Sequence, residues 1–182
     1  EELFGIYSLK GLEEERYYRV TKNKMPEAQT VFLDEVFKGN SSILNALLTV
    51  LNERIFYNDG VPVPLNIVTI AGASNEIPDA DDGLDAFFDR FLLKYQIKSI
   101  QDAGNFARLL TMKGKLPEPR NTISLGDIHE AQDQLSRIEL PPAVMEQIIK
   151  VRESIRDKVT SVSDRTFRTS IRILQADAWL RG

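Results

Sequence analysis

Two short apolar runs, each ending in polar residues, constrain the fold of this chain most. The run Val31-Phe32-Leu33 leads into Asp34-Glu35, and the run Ile67 to Ala71 leads into Gly72-Ala73-Ser74-Asn75. Continuous apolar runs of this length are typical of parallel strands that are buried on both faces. The first half of the chain is therefore predicted to be an α/β structure built on a parallel sheet.

The segment between these runs predicts a helix followed by a hairpin. An N-cap at Asn40 or Ser41 precedes apolar residues at helical spacing, and the helix is expected to end near Arg54. Asn58-Asp59-Gly60 then predicts a hairpin turn, because Asp-Gly readily adopts positive φ angles. Two prolines in the second arm, Val61-Pro62-Val63-Pro64, restrict that arm to the edge of a sheet.

A further hairpin is predicted near residues 16 to 25, with its turn at Lys22-Asn23-Lys24. From about residue 115 onward the pattern is helical, after a linker at Leu116-Pro117-Glu118-Pro119. Three helices are expected there: from Ser124 to about Arg137, from Pro141-Pro142 through Lys158, and from a cap at Ser163 onward.

Composition excludes several classes of site. The chain has no cysteine and a single histidine, His129, which excludes thiolate metal sites, cysteine nucleophiles and multi-histidine metal sites. The formal net charge is -4, with 9 Lys and Arg against 16 Asp and Glu in residues 1 to 95 and 14 against 11 in residues 96 to 182. That balance makes nucleic acid an improbable partner. No membrane span or signal peptide is predicted, so a cytoplasmic location is expected.

The two acids after the first predicted strand suggest nucleotide chemistry. Ligands of an open α/β sheet bind beyond the carboxyl ends of its strands, where Asp34 and Glu35 are expected beside Asn75. The first acid suits Mg²⁺, which takes few carboxylates and keeps several waters, and the second suits the polarisation of an attacking water. The pattern resembles a Walker B motif, although strand ends often carry acids and Asn is a common turn residue.

Arg90 is unusual because it lies within the apolar stretch from Leu84 to Leu93, where a cation needs a partner. Asp85 or Asp89 could supply that partner. Alternatively, the guanidinium could reach the γ-phosphate of a nucleotide bound by a neighbouring subunit. The sequence alone leaves both interpretations open.

Arg165 lies in the first turn of the last predicted helix, where the helix dipole disfavours a cation. A bound anion would explain this position, and so would compensation of the dipole by Asp164. Arg168 and Arg172 share the same helical face. A phosphate-binding face is therefore one interpretation, and a solvated basic face is the other.

The order of these features resembles that of the AAA+ ATPases, and of the MoxR group within them. The similarity to the RavA branch of that group rests on Leu33 to Lys38, Ile43 to Arg54, Leu3-Phe4-Gly5, Pro26-Glu27-Ala28 and Ser163-Asp164-Arg165. The resemblance implies an α/β core over residues 1–114, with a parallel sheet, helices and two β-hairpin inserts. It implies an all-helical lid over residues 115–182.

The resemblance also implies ATP and Mg²⁺ as cofactors and a role for each candidate residue. It assigns Mg²⁺ binding to Asp34, the catalytic glutamate to Glu35, sensor 1 to Asn75, the arginine finger to Arg90 and sensor 2 to Arg165, with Arg168 as the reserve for sensor 2. One departure is important: no Gly-rich phosphate-binding loop is present, and the only Gly-Lys pair, Gly114-Lys115, is followed by Leu116. The simplest expectation is an N-terminally truncated domain that is inactive by itself.

The function implied is an ATPase that works in a ring, most simply a hexamer, and remodels or matures protein complexes in a chaperone-like role. A partner with a von Willebrand A domain is part of that expectation. Two alternatives stay open: a non-catalytic interaction module on an ATPase-like scaffold, and a ring ATPase that handles DNA. The acidic first half argues against the DNA alternative, because hairpins that contact DNA must neutralise phosphate.

Overall fold

The computed structural model of the chain describes residues 1–77, 84–114, 118–156 and 162–182. The chain divides into two compact units, which we call the first unit, Glu1–Phe91, and the second unit, Leu92–Gly182. The predicted linker residues Leu116-Pro117 and the predicted helix end at Lys158 lie outside the described residues. The predicted functional boundary at residues 114 and 115 stays a prediction.

The first unit is mixed α/β. Its elements are β1 (Ile6–Tyr7), α1 (Leu9–Glu13), β2 (Arg19–Val20), β3 (Thr30–Leu33), α2 (Ser41–Glu53), β4 (Ile55–Asn58), β5 (Val61–Pro64), β6 (Thr69–Gly72) and α3 (Asp85–Phe88). Two 3-10 turns, Met25–Glu27 and Val36–Lys38, precede β3 and α2 respectively. In the described part of the chain the strands form three pairs: β1 with β2 and β4 with β5 antiparallel, and β3 with β6 parallel.

The parallel pairing of the two apolar runs is confirmed, with Leu33 opposite Gly72 in the register. Their burial on both faces is not. Val31 and Leu33 are buried in the core, but Phe32 is 68% exposed, and β6 begins only at Thr69. Successive strand side chains point to opposite faces. One face of this pair packs on the core, and the other is uncovered in the described residues.

Helix α2 supplies much of the material that covers the buried face. The Asn40 side chain caps it, accepting a hydrogen bond from the Ile43 backbone N–H at 3.0 Å, as the sequence predicts. Leu44, Leu47 and Val50 recur on one side of the helix and are buried in the same core cluster as Val31 and Leu33. This packing fixes the strand end from which the acidic pair projects.

The β4–β5 hairpin is confirmed. Asp59 and Gly60 form its two-residue turn, with φ angles of 53° and 74° that suit the twist of the strands. The first hairpin is predicted incorrectly: β2 pairs with β1, which precedes it, and helix α1 lies between them. The turn near Asn23 exists, but Pro26 follows it and the chain enters a 3-10 turn instead of a return strand.

The secondary-structure elements described in the second unit are all helices. Its helices are α4 (Ala103–Thr111), α5 (Leu125–Ser136), α6 (Pro142–Arg156) and α7 (Asp164–Arg181). The caps of α5 and α7 at Ser124 and Ser163 are confirmed, whereas α4 is a helix that the sequence interpretation missed. Gln175 Nε2 donates to the Ile138 carbonyl at 2.7 Å, which ties α7 to the end of α5. None of the described helices is long and apolar enough to pass through a membrane.

Candidate functional site

The acidic pair and Asn75 lie at the same edge of the parallel sheet. The register of β3 and β6 places Leu33 opposite Gly72, and the backbone pairing continues past both strand ends. Ala73 N–H donates to the Leu33 carbonyl at 2.8 Å, and Val36 N–H donates to the Ala73 carbonyl at 3.0 Å. These two bonds join the segment that carries Asp34 and Glu35 to the segment that leads into Ser74 and Asn75.

The backbone turns sharply at the second acid. Glu35 has φ 48° and ψ 42°, a left-handed conformation that is uncommon for a residue with a side chain. The Asp34 carboxylate accepts a hydrogen bond from the Glu35 backbone N–H at 3.0 Å, which supports the turn locally. Val36, which follows, is buried in the core and anchors it. Both acidic side chains are left exposed to solvent at the strand end.

Lys38 is the residue of this region that the sequence interpretation missed. Its Nζ lies 2.9 Å from Glu35 Oε1, and both side chains are half exposed. The hydrogen bond and charge of Glu35 raise the pKa of Lys38, and the charges of Glu76 and Asp34 act in the same direction. The spacing of three residues between Glu35 and Lys38 is the signal that could have predicted the pair.

Asn75 is exposed beyond the end of β6, within a short turn. The Ser74 hydroxyl donates to the Glu76 carbonyl at 2.7 Å and accepts from the Glu76 N–H at 3.1 Å. These two bonds hold the loop shape that carries Asn75 past the strand. The placement of Asn75 at the sheet edge agrees with the expectation from sequence, and its role as a sensor stays a prediction.

Arg90 follows α3, whose Phe87 belongs to the same core cluster as Leu33 of β3. Phe87 is 2% exposed and contacts the ring of Phe91 at 5.6 Å between centroids. A Cβ on Gly72 would lie 3.1 Å from the Phe91 ring, so glycine at this position permits the close packing of Phe91 on β6. The aromatic residues on both sides of Arg90 thus hold it near the carboxyl end of the sheet.

The Arg90 side chain itself is only 15% exposed. Its Nη1 lies 3.8 Å from Asp89 Oδ2, so the acid beside it is a partner, but a distant one. Its Nε is buried and has no hydrogen-bond partner among the described residues. A buried donor without a partner is costly, so this guanidinium still has hydrogen-bonding capacity to satisfy. The arginine-finger role stays a prediction.

Arg165 and Arg168 lie on helix α7 in the second unit, and both side chains are exposed. Asp164, which precedes Arg165, is engaged by Arg152 of α6 at 2.8 Å, so this acid serves a contact between helices as well as the helix start. The Ser163 hydroxyl accepts from the Thr166 N–H at 3.2 Å and fixes the first turn. The structure therefore confirms the helical position of Arg165 and leaves its ligand to be tested.

The β1–β2 pair and the β4–β5 hairpin of the first unit are joined by side chains of the β4–β5 turn. Asn58 Oδ1 accepts from the Arg19 N–H at 2.7 Å, and Asn58 Nδ2 donates to the Arg19 carbonyl at 3.1 Å. Asp59 Oδ1 accepts from the Tyr17 N–H at 2.9 Å, and Asp59 Oδ2 accepts from Arg16 Nε at 3.3 Å. We call this set of bonds the hairpin clasp; the sequence suggested only a turn at these residues.

The donor set at the strand ends suits Mg²⁺. Among the described residues no group of three or more His, Cys, Asp and Glu side chains is arranged to hold a metal ion. Mg²⁺ at a phosphoryl-transfer site needs no such cage, because one or two carboxylates, water and the phosphates complete its six ligands. Asp34 can supply a carboxylate oxygen of this kind, since its side chain is exposed and, within the described residues, only its Oδ1 engages the backbone.

Comparison with known proteins gives a family for this arrangement. A family model described as the MoxR domain in the MoxR-vWA-beta-propeller ternary systems matches residues 1–137. The uncharacterized proteins MJ0812 and MJ0079 of Methanocaldococcus jannaschii are 35% and 34% identical to the chain over 183 aligned positions. Those alignments span the whole chain but only 48% and 47% of the two relatives, so the chain spans about half of their length.

A more distant similarity is to the structural protein ORF618 of Acidianus two-tailed virus, which is 23% identical over 146 residues. The alignment covers 75% of the chain and 24% of the viral protein.

Proposed function

Because the chain belongs to the MoxR family of AAA+ ATPases, we propose that the intact protein hydrolyses ATP and uses the energy to remodel or mature protein complexes. One structural observation carries this proposal. The parallel pairing of β3 with β6 brings Asp34 and Glu35 to the same sheet edge as Asn75. That edge is where α/β sheets bind their ligands.

Each residue at this edge has a defined part in the proposed reaction. Asp34 would hold Mg²⁺, which when bound neutralises charge on the phosphates. Glu35 orients and polarises the attacking water as a general base, and Asn75 positions the same water through its amide. The exposed placement of the three side chains leaves them accessible to a nucleotide and to water.

The arginines complete the proposal. Arg90 stabilises transition-state charge in the site of the next subunit of a ring. Arg165, or Arg168 in its place, is the residue of the second unit that binds a phosphate group. The orphaned Nε of Arg90 supports a role in which this side chain gains an acceptor on assembly. The same proposal includes a hexameric ring, membership of the RavA branch and a cytoplasmic location.

A nucleotidase assay on the full-length protein and its Glu35→Gln variant tests this function. General-base catalysis contributes about 10² to 10⁴ in rate, so the variant should lose activity by that factor while still binding nucleotide. Glu13→Gln, which makes the same change on the exposed helix α1, should leave the rate unchanged. Equal activity in wild type and Glu35→Gln would refute the assignment. The 182-residue chain, which has no phosphate-binding loop, should be inactive by itself.

The partner proposal follows from the family. The matched domain is named for systems that combine MoxR, von Willebrand A and beta-propeller proteins, and we infer that a von Willebrand A protein is a partner of the intact protein. Co-purification of the full-length protein with such a protein encoded beside it, in the presence of ATP, tests this inference. Absence of a complex with and without nucleotide would contradict it.

A second function, a non-catalytic interaction module, is favoured by one observation. The similar viral protein is named a structural protein, which suggests that this scaffold can serve assembly. This alternative predicts that the full-length protein binds partners equally well as wild type and as Glu35→Gln, with no hydrolysis in either case. The nucleotidase assay therefore separates the two functions.

A further inference from the structure

The ammonium group of Lys38 lies against the Glu35 carboxylate at the end of β3. It contacts Glu35 Oε1 at 2.9 Å, and the charges of Asp34 and Glu76 also raise its pKa. Asp34 and Glu35 follow β3, while Glu76 follows β6. Lys38 therefore interacts electrostatically with acids on both segments that form the candidate site.

Local backbone geometry builds this contact. The left-handed conformation of Glu35 starts the 3-10 turn Val36–Lys38, and Lys38 N–H donates to the Glu35 carbonyl at 2.9 Å. Residues three apart in a 3-10 turn lie on the same side, so the Glu35 and Lys38 side chains meet. The turn is held at its start by the buried Val36, whose N–H donates to the Ala73 carbonyl at 3.0 Å.

Glu35 can perform its proposed task only if its carboxylate is available to a water molecule. In this structure one carboxylate oxygen is hydrogen-bonded to an ammonium group. The ammonium group therefore occupies an oxygen that could otherwise accept a hydrogen bond from that water, and it turns the carboxylate toward Lys38. The contact therefore disfavours the activity that the same carboxylate is proposed to supply.

We propose that Lys38 is a positioning residue that restrains Glu35, holding its carboxylate away from the attacking water until the pair separates. This inference rests on the proposed ATPase function and deepens it. Both side chains are half exposed, and an exposed ion pair of this kind holds its partners only weakly. The restraint therefore lowers the basal rate by a factor of about two to five rather than abolishing it.

Steady-state kinetics of the full-length protein test the restraint. Lys38→Met should raise kcat about two- to fivefold with KM unchanged, because the carboxylate is released while nucleotide contacts stay the same. Lys38→Arg, which keeps a donor for Glu35, should have a kcat closer to that of the wild type. Lys10→Met, which removes an exposed lysine of helix α1, should change neither constant.

Three kinetic outcomes would overturn the inference. A lower kcat in Lys38→Met would mean that the lysine assists Glu35, and an unchanged kcat would mean that the contact has no catalytic consequence. A raised KM with the same kcat would make Lys38 a substrate-binding residue.

A second readout separates failure of this inference from failure of the proposed function. The Lys38 amine of the full-length protein should be acylated by acetic anhydride faster in Glu35→Gln than in wild type, as measured by mass spectrometry. If the wild type and Glu35→Gln hydrolyse ATP equally, the proposed function and the restraint are both refuted, whatever the labelling rate of Lys38 is. The restraint alone would be refuted if the wild type hydrolyses ATP clearly, Glu35→Gln leaves the labelling rate of Lys38 unchanged and Lys38→Met leaves kcat unchanged.

Discussion

The first unit buries Phe87 and Val50 almost completely, at 2% and 0% exposure, whereas no helix described in the second unit has a buried residue. The first unit is held by an apolar core to which α2, α3, β3 and β4 contribute. The second unit is held by caps and by side-chain bonds between helices, such as Trp179 Nε1 to Gln134 Oε1 at 2.8 Å. The two units thus use different physical means to keep their elements together.

This difference bears on where the candidate chemistry lies. Water-activating residues must be held within fractions of an ångström, and a close-packed core supplies that rigidity. Asp34 and Glu35 project from a strand whose Leu33 is part of such a core. Arg165 and Arg168 project from a helix with no buried side chain, which suits residues that move with the state of a ligand.

The largest expected effect tests the core of the first unit. Phe87→Ala removes a ring that is 2% exposed and contacts Phe37 and Phe91, so it should cost about 3 to 5 kcal/mol of unfolding free energy. Phe106→Ala, the matched change on α4 where the ring is 50% exposed, should change the stability by at most about 0.5 kcal/mol. Denaturant unfolding of the two variants measures both effects, and equal losses would break the comparison between the units.

The hairpin clasp provides the next test. Asn58→Ala removes both bonds to the Arg19 backbone and leaves the part-buried Arg19 N–H without its acceptor. We therefore expect the free energy of unfolding to fall by about 1 to 3 kcal/mol. Asn45→Ala, an exposed change on α2 within the same unit, should have much less effect. Thermal unfolding of both variants decides the matter, and a neutral Asn58→Ala would show that the clasp contributes no stability.

A single long-range bond in the second unit should be worth less. Gln175→Leu keeps the side-chain volume but removes the donor to the Ile138 carbonyl, and should cost about 0.5 to 1.5 kcal/mol. Gln147→Leu on the exposed face of α6 is the matched control. Hydrogen exchange of the α7 amides should rise in Gln175→Leu only; a similar rise in the control would mean that apolar exposure, not the lost bond, loosens the unit.

Elements with a local signal could be predicted from the sequence. The cap at Asn40, the Asp59-Gly60 turn and the cap at Ser163 are each specified by residues within a few positions, and all three are confirmed. The parallel pairing of the two apolar runs was also predictable, since their polar ends share one pattern. The position of the acidic pair and Asn75 at one edge follows from that pairing.

Features that depend on distant partners could not be predicted. The partner of β2 is β1, and no local pattern distinguishes that pairing from a return strand after Asn23. Phe32 is apolar and yet exposed, because burial depends on which element covers a face and not on the strand itself. The Glu35–Lys38 pair differs from these features, because its three-residue spacing is a local signal and the left-handed turn at Glu35 accompanies it.

The smallest expected effect is on how the stability of each unit depends on pH. In the second unit Ser124 Oγ and N–H both donate to Asp127 Oδ2, which lowers the pKa of that carboxyl from 3.8. A carboxyl with a lowered folded-state pKa adds stability above its unfolded value, and this stability is lost as pH falls through the folded value. Asp127→Asn should therefore flatten the acid side of the thermal stability profile below about pH 4, while Asp133→Asn, which removes the same charge outside the cap, should not.

In the first unit the corresponding group is Lys38, which affects stability at alkaline pH. Glu35 raises the pKa of Lys38 above 10.5, so the pair stabilises the folded state fully below that pH and loses its contribution as pH rises through the folded value. Lys38→Met should accordingly flatten the alkaline side of the profile. If Asp127→Asn altered the alkaline side, or Lys38→Met left the alkaline side unchanged, the two contacts would not act in the pH ranges assigned to them. The two units, which differ in how their elements are held together, would then not differ in the pH range in which their contacts add stability.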